Sequence, residues 1–303
     1  MSEISMSVTI AGVELRNPVM TASGTFGSGM EYASYVDLNQ LGAVVTKGVA
    51  IVPWPGNDVP RIAETPSGML NAIGLQNPGM DTFVNRDLPF LESYQTRVIV
   101  NVCGRSIQDY CRAAERLSEE KRVDMLEINI SCPNVKEGGI AFGQAPHSAM
   151  KVTEEVRRVS KVPVIMKLSP NVTDIGEMAR AVEAGGADAI SLINTLTGMK
   201  IDIERRTFAL ANRTGGLSGP AIRPVAVRMV YEASHAVSLP VIGMGGITCG
   251  KDALEFIMAG ATAVAVGTAS FRDPLSAVRT VEEIGSFMET HGVQDIRELI
   301  GCV

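Results

Sequence analysis

Met125-Leu126-Glu127-Ile128 runs straight into Asn129-Ile130-Ser131-Cys132-Pro133-Asn134, and then into Val135-Lys136-Glu137-Gly138-Gly139. The first four residues form a short, mostly apolar run, the pattern of a buried strand. The strand ends on an asparagine. A serine, a cysteine and a proline follow, and then a loop with paired glycines. A strand carboxyl end that presents an amide and a thiol is where α/β proteins place their chemistry.

Outward from this strand the same unit recurs. Apolar, β-branched runs predict core strands over 18–21, 41–46, 98–102, 125–130, 162–166, 187–192, 239–243 and 261–266. Helical spacing follows the later ones, over 107–117, 147–159, 174–184, 222–236, 251–259 and 274–290. Ser106 with Asp109, and Asp174 with Glu177, read as helix starts. A shorter helix is expected over 30–36. A helix on each crossover lets the strands be buried on both faces. Eight such units favour an α/β fold of the closed (β/α)8, or TIM-barrel, type. No G-x-G-x-x-G follows the first strand, which weighs against a doubly wound dinucleotide fold. Residues 6–10 and 13–15, around a turn at Ala11-Gly12, read as a hairpin able to plug the barrel's bottom. One domain is expected over 1–303, with insertions at about 49–77, 131–145 and 196–220 on the carboxyl-end face.

Composition narrows the function classes. Charged residues make up 20% of the chain and the net charge is -6, with no basic stripe, so a nucleic-acid partner has little support. The five cysteines, at 103, 111, 132, 249 and 302, form no C-x-x-C pair, and the three histidines are far apart, so no metal is expected in this chain. No apolar run reaches membrane-spanning length and no leader is evident, so a cytoplasmic location is expected.

The residues at or just past the strand ends are, in chain order, Ser23, Lys47, Asn101, Asn129, Lys167, Asn194-Thr195, Gly245-Gly246 and Gly267-Thr268, with Asn71 in the first insertion. Glycine-rich turns after the seventh and eighth strands suit a phosphate, held by backbone N–H groups and a helix N-terminus. Lys47 and Lys167 follow apolar strands. They either reach the rim or neutralise an anionic substrate or a reduced cofactor. Four asparagines offer donors and acceptors suited to a planar ring with amide and imide edges. Cys132, between polar neighbours and on a loop with paired glycines, is the candidate base or nucleophile. Cys103 and Cys111 read as packing, and His147 as part of a helix start. Trp54 and Tyr94 read as surface or interface aromatics.

The segments Asn71-Ala72-Ile73-Gly74-Leu75-Gln76-Asn77, Asn129-Ile130-Ser131-Cys132-Pro133-Asn134, Ile193-Asn194-Thr195 and Gly245-Gly246-Ile247 resemble those of the class 1 dihydroorotate dehydrogenases. The stretch 135–143 resembles the catalytic subunit of the 1B subclass. The resemblance implies one FMN and oxidation of (S)-dihydroorotate to orotate in pyrimidine biosynthesis. It implies FMN contacts from Ser23, Lys47, Gly48, Asn101, Asn129, Lys167, Ile193, Gly219, Gly245, Gly246, Gly267 and Thr268. Substrate would be held by Lys47, Asn71, Ala72, Ile73, Gly74, Leu75, Asn129, Asn194 and Thr195, with Cys132 as catalytic base. It further implies a partner subunit carrying FAD and a 2Fe-2S cluster, electron delivery to NAD+, and a heterotetramer of two catalytic and two electron-transfer chains. The alternatives are the fumarate-dependent 1A type and a dihydropyrimidine dehydrogenase-like flavoprotein. A phosphate-sugar isomerase would not need the cysteine loop, and a barrel acting only as a scaffold would bind no chromophore.

Overall fold

The apolar runs form eight strands in the computed structural model, which describes residues 4–131 and 142–303. They are β1 (Val19–Thr21), β2 (Ala43–Val45), β3 (Arg97–Val102) and β4 (Met125–Asn129). The others are β5 (Val164–Lys167), β6 (Ala189–Leu192), β7 (Val241–Met244) and β8 (Ala263–Val266). They pair in chain order and close, β8 lying parallel to β1. The predicted (β/α)8 barrel is therefore the observed fold. Helices α1 (Ile107–Leu117), α2 (Pro146–Val159), α3 (Ile175–Ala184), α4 (Arg223–Ala236), α5 (Gly250–Met258) and α6 (Ser276–His291) cover the strands. Their buried apolar stripes and the strands join one core. The Ser106 hydroxyl accepts from Asp109 N–H and Asp174 from Glu177 N–H, so both predicted starts are capped by side chains.

The hairpin of Val8–Ile10 and Val13–Leu15 is present. Its Glu14 carbonyl accepts from the Arg97 guanidinium at the first residue of β3, which fixes it at the amino-terminal end of the strands. Functional groups are left to the opposite end.

Three expectations are corrected. Residues 30–35 are consecutive turns and Val36 is irregular, so the helix expected over 30–36 does not form. Tyr32 pins them, stacking on Phe26 at 4.1 Å and donating to the Thr25 carbonyl. So short a stretch gains few helical bonds against that competition. The helical turns before β3 lie instead over residues 80–91.

The two long insertions are not loops throughout. Ile62–Thr65, Gly68–Asn71, Leu196–Met199 and Thr214–Ser218 pair into one four-stranded antiparallel sheet. Gly68–Asn71 pairs with Thr214–Ser218 and so joins the two insertions.

Trp54 is buried rather than superficial. It packs with Ala50 and Cys103 under the Arg105 guanidinium, which lies 4.8 Å from the ring centre. Among the described residues no helix is long and apolar enough to cross a membrane.

Candidate active site

Side-by-side residues in a sheet share a face, and so do residues two apart on one strand. Asn101 lies beside Glu127, Asn129 beside Lys167, and Lys167 beside Ser191. These five side chains therefore share the barrel's inner face, toward its carboxyl end. Glu127 ties them together. Its Oε1 accepts from the Asn101 amide at 2.7 Å and from Lys167 Nζ at 3.1 Å, and its Oε2 accepts from the Ser191 hydroxyl at 3.3 Å. The Lys167 and Glu127 side chains are only 5% and 2% exposed, so the lysine does not reach out to the rim. Because the Asn101 amide donates to a carboxylate, its Oδ1 must face away. That oxygen is buried and has no hydrogen-bond partner among the described residues.

A second group sits at the mouth. The Asn194 amide donates to the Ser131 hydroxyl, which donates to Asn129 Oδ1 at 2.6 Å. Asn194 Oδ1 accepts from Thr195 N–H at 2.8 Å. Thr195 abuts Gly216, where a Cβ would fall 2.0 Å from its Oγ1. The Gly216 carbonyl in turn accepts from the Asn71 amide at 3.4 Å. The first insertion, the end of β4 and the end of β6 thus meet here. Behind them the Tyr110 hydroxyl donates to the Asn129 carbonyl at 2.8 Å, with Phe142 against the tyrosine edge.

The segment 71–77 is held by its last residue. Buried Asn77 donates to the Leu75 carbonyl and accepts from the Ala50 and Gly79 N–H groups, while its backbone exchanges two hydrogen bonds with Trp54. Asn77→Ala would strand these partners, each at about 1–3 kcal/mol. The expected result is a lower melting temperature and faster amide exchange over residues 71–77 than in the barrel strands.

Three glycine-bearing turns form a third group. A Cβ on Gly246 would lie 2.7 Å from the Gly219 carbonyl, and one on Gly245 would lie 3.3 Å from Ile193. Thr268 donates to the Ser218 hydroxyl at 2.7 Å, joining the turn after β8 to the second insertion. Thr248 bonds Asp252 through both its N–H and its hydroxyl. Burial pushes that carboxyl up, but these bonds and the neighbouring Arg223 outweigh it and hold it below its ordinary value. Beside the turn after β8, where a Cβ on Gly267 would lie 3.4 Å from Ala22, the loop after β1 carries Ser23 and Gly24, and a Cβ on Gly24 would lie 3.8 Å from Lys47 Nζ.

The residues singled out from sequence, where described, lie at or beyond the carboxyl ends of the strands or in the insertions that follow β2 and β6. Gly48 is brought against Asn101, a Cβ there falling 3.1 Å from Oδ1. Ala72, Ile73 and Gly74 lie in the segment that Asn77 anchors, and Gly267 precedes Thr268. Cys132 and the residues that follow it to 141 lie outside the described residues. Cys103 and Cys111 pack, and burial, then Glu155, raises the Cys111 thiol above its ordinary value, as expected of an inert cysteine.

Sequence reasoning missed Glu127, Ser131, Ser191 and Ser218 as parts of the site, and Asn77 as its anchor. For Glu127 a signal existed. A carboxylate inside an otherwise apolar strand is rarely buried without a partner.

A sequence profile described as dihydroorotate dehydrogenase matches residues 5–288. The chain is 67% identical over 300 residues to a protein of Lachnoclostridium phytofermentans, covering 99% of this chain and 100% of that one. It is 60% identical over 303 residues to one of Alkaliphilus metalliredigens, covering 100% of both. It is 56% identical over 303 residues to one of Geotalea uraniireducens, covering 100% of this chain and 99% of the relative. Each of the three is named dihydroorotate dehydrogenase B (NAD(+)), catalytic subunit. With likeness of that depth from end to end, on a barrel that gathers these groups at one mouth, the chain belongs to the dihydroorotate dehydrogenase family.

Proposed function

We propose that this chain is the FMN-binding catalytic subunit of a B-type dihydroorotate dehydrogenase. It oxidises (S)-dihydroorotate to orotate for pyrimidine biosynthesis. The electrons pass to a second subunit carrying FAD and a 2Fe-2S cluster, and from there to NAD+, in an assembly of two catalytic and two electron-transfer chains. The observation that carries this reading is the hydrogen-bonded run Asn129–Ser131–Asn194–Thr195, whose Ser131 directly precedes Cys132 in the chain.

The residues present fit FMN. Gly219, Gly245, Gly246, Gly267 and Thr268 form close-packed turns suited to its phosphate, where a side chain at Gly246 would leave no room. The buried Asn101 Oδ1 is an acceptor without a donor among the described residues. Lys167, Lys47 and Asn129 add cations and an amide, with Ser23, Gly48 and Ile193 completing the cofactor's surroundings. Bound FMN supplies the two-electron acceptor for the hydride leaving ring carbon 6.

The protein's own work is positional and acid–base. Asn71, Asn129, Asn194 and Thr195, with the backbone of 72–75, hold the amide and imide edges of the ring. Lys47 neutralises the substrate carboxylate. The Cys132 thiolate removes the proton from ring carbon 5, so that the carbon 5–carbon 6 double bond forms as the hydride departs. Lys167 counters the negative charge that builds on reduction.

Anaerobic addition of dihydroorotate to the purified chain should bleach its flavin absorbance. A chain that stayed yellow with dihydroorotate would sink the proposal. Once reduced, slow reoxidation by fumarate is expected, with fast transfer to NAD+ only when the partner subunit is added.

A further inference from the structure

We infer that Glu127 is a positioning residue that sets the electrostatics of the flavin site by covering the charge of Lys167. The inference rests on the reading of the barrel mouth as an FMN site. Glu127 touches neither the outer rim nor solvent. It binds Lys167 Nζ and the Asn101 amide with one oxygen and the Ser191 hydroxyl with the other, so residues from β3, β5 and β6 converge on one carboxylate of β4.

That geometry constrains both partners. The Asn101 amide is locked with its Oδ1 turned away from Glu127, and this is the buried oxygen that lacks a donor among the described residues. The Lys167 ammonium is half-committed. One face is neutralised at 3.1 Å, and only the remainder of its field and its other N–H donors are available to a ligand. A fully uncovered cation in so dry a place would bind an electron-rich ring edge far more strongly than a paired one. Glu127 therefore limits how strongly the site favours negative charge on the flavin, and keeps the bound cofactor able to pass its electrons onward.

The test is sulfite titration of the FMN-loaded chain, because sulfite affinity rises with the positive field around a flavin. Glu127→Gln keeps an acceptor for Asn101 and Lys167 but removes the charge. It should tighten sulfite binding about tenfold or more. Lys167→Met should weaken it by a similar factor, of about ten. In the double variant Glu127→Gln with Lys167→Met the glutamine should add little, within about threefold of Lys167→Met alone, because the carboxylate acts through the lysine. Glu127→Asp, whose shorter arm loosens the pair, should shift affinity in the same direction as Glu127→Gln by about threefold.

Equal sulfite affinity in wild type and Glu127→Gln would overturn the inference. So would a full tightening by the glutamine that persists without Lys167. Were Glu127→Gln unable to fold, unchanged affinity in Glu127→Asp would reduce Glu127 to a structural role and overturn it equally. A wild-type chain that takes up no FMN would overturn the site reading together with this inference, whereas FMN-loaded wild type with unmoved variants would overturn this inference alone.

Discussion

Cys132→Ser is expected to slow flavin reduction by dihydroorotate about a hundred- to ten-thousand-fold at neutral pH, the range that general-base catalysis supplies. The proton on ring carbon 5 is weakly acidic, and its removal needs a base already ionised where it stands. An unperturbed cysteine thiol titrates near 8.5, so a useful fraction of thiolate exists near neutrality; a serine hydroxyl offers almost none. The wild-type rate should therefore rise with pH as thiolate accumulates and level off above the thiol's pKa. The serine variant should keep rising across the accessible range without levelling. Rapid-mixing absorbance under anaerobic conditions measures both profiles. Binding should be spared, because Ser131 is held by Asn129 and Asn194 through its own hydroxyl. FMN content and orotate affinity are therefore expected to stay within about threefold of wild type. Equal reduction rates in the two proteins would remove Cys132 from the chemistry.

The barrel is legible in the sequence because each strand is a short apolar run with its own stop signal, and a sheet buried on both faces needs nothing else. The carboxyl-end residues are legible for the same reason: Asn101, Asn129, Lys167 and Asn194 end apolar runs or come directly after them, where a polar group needs a purpose. The insertion sheet is not legible. Thr214-Gly215-Gly216-Leu217-Ser218 reads as a loop by its glycines, yet it is a strand whose central glycines lie against Asn71 and Thr195. Its partner, Gly68–Asn71, lies far away in the chain, so no local pattern can announce the pairing. Glu127 escapes notice for a different reason. One acid does not spoil an apolar run, so the strand is recognised without asking what a buried carboxylate would bind. Its partner Lys167 stands out at the end of the next strand, but only the register of β4 against β5 brings the two together. Residues 30–36 show propensity losing to a single stacked tyrosine.

Gly246→Val should yield a folded protein that has lost most of its FMN, with affinity reduced about a hundredfold or more. Gly246 has a φ of 79°, a conformation that a β-branched residue rarely adopts. A Cβ there would also meet the Gly219 carbonyl at 2.7 Å and the Arg223 Cβ at 2.9 Å, both fixed by backbone. The turn after β7 and the second insertion would have to separate, and the phosphate would lose donors from both at once; about 3 kcal/mol of lost binding already corresponds to a hundredfold. Strain alone does not account for this. Gly12 has nearly the same φ, 82°, but nothing within 4 Å of a Cβ, and it lies in the hairpin at the opposite end of the barrel. Gly12→Ala is therefore expected to cost about 1 kcal/mol of stability and to leave FMN affinity unchanged. Flavin fluorescence titration of the two apoproteins, with circular dichroism to show that both are folded, separates close packing from backbone strain. A Gly246→Val protein that still binds FMN within about threefold of wild type would mean that the phosphate lies elsewhere, because no arrangement using both turns survives a side chain between them.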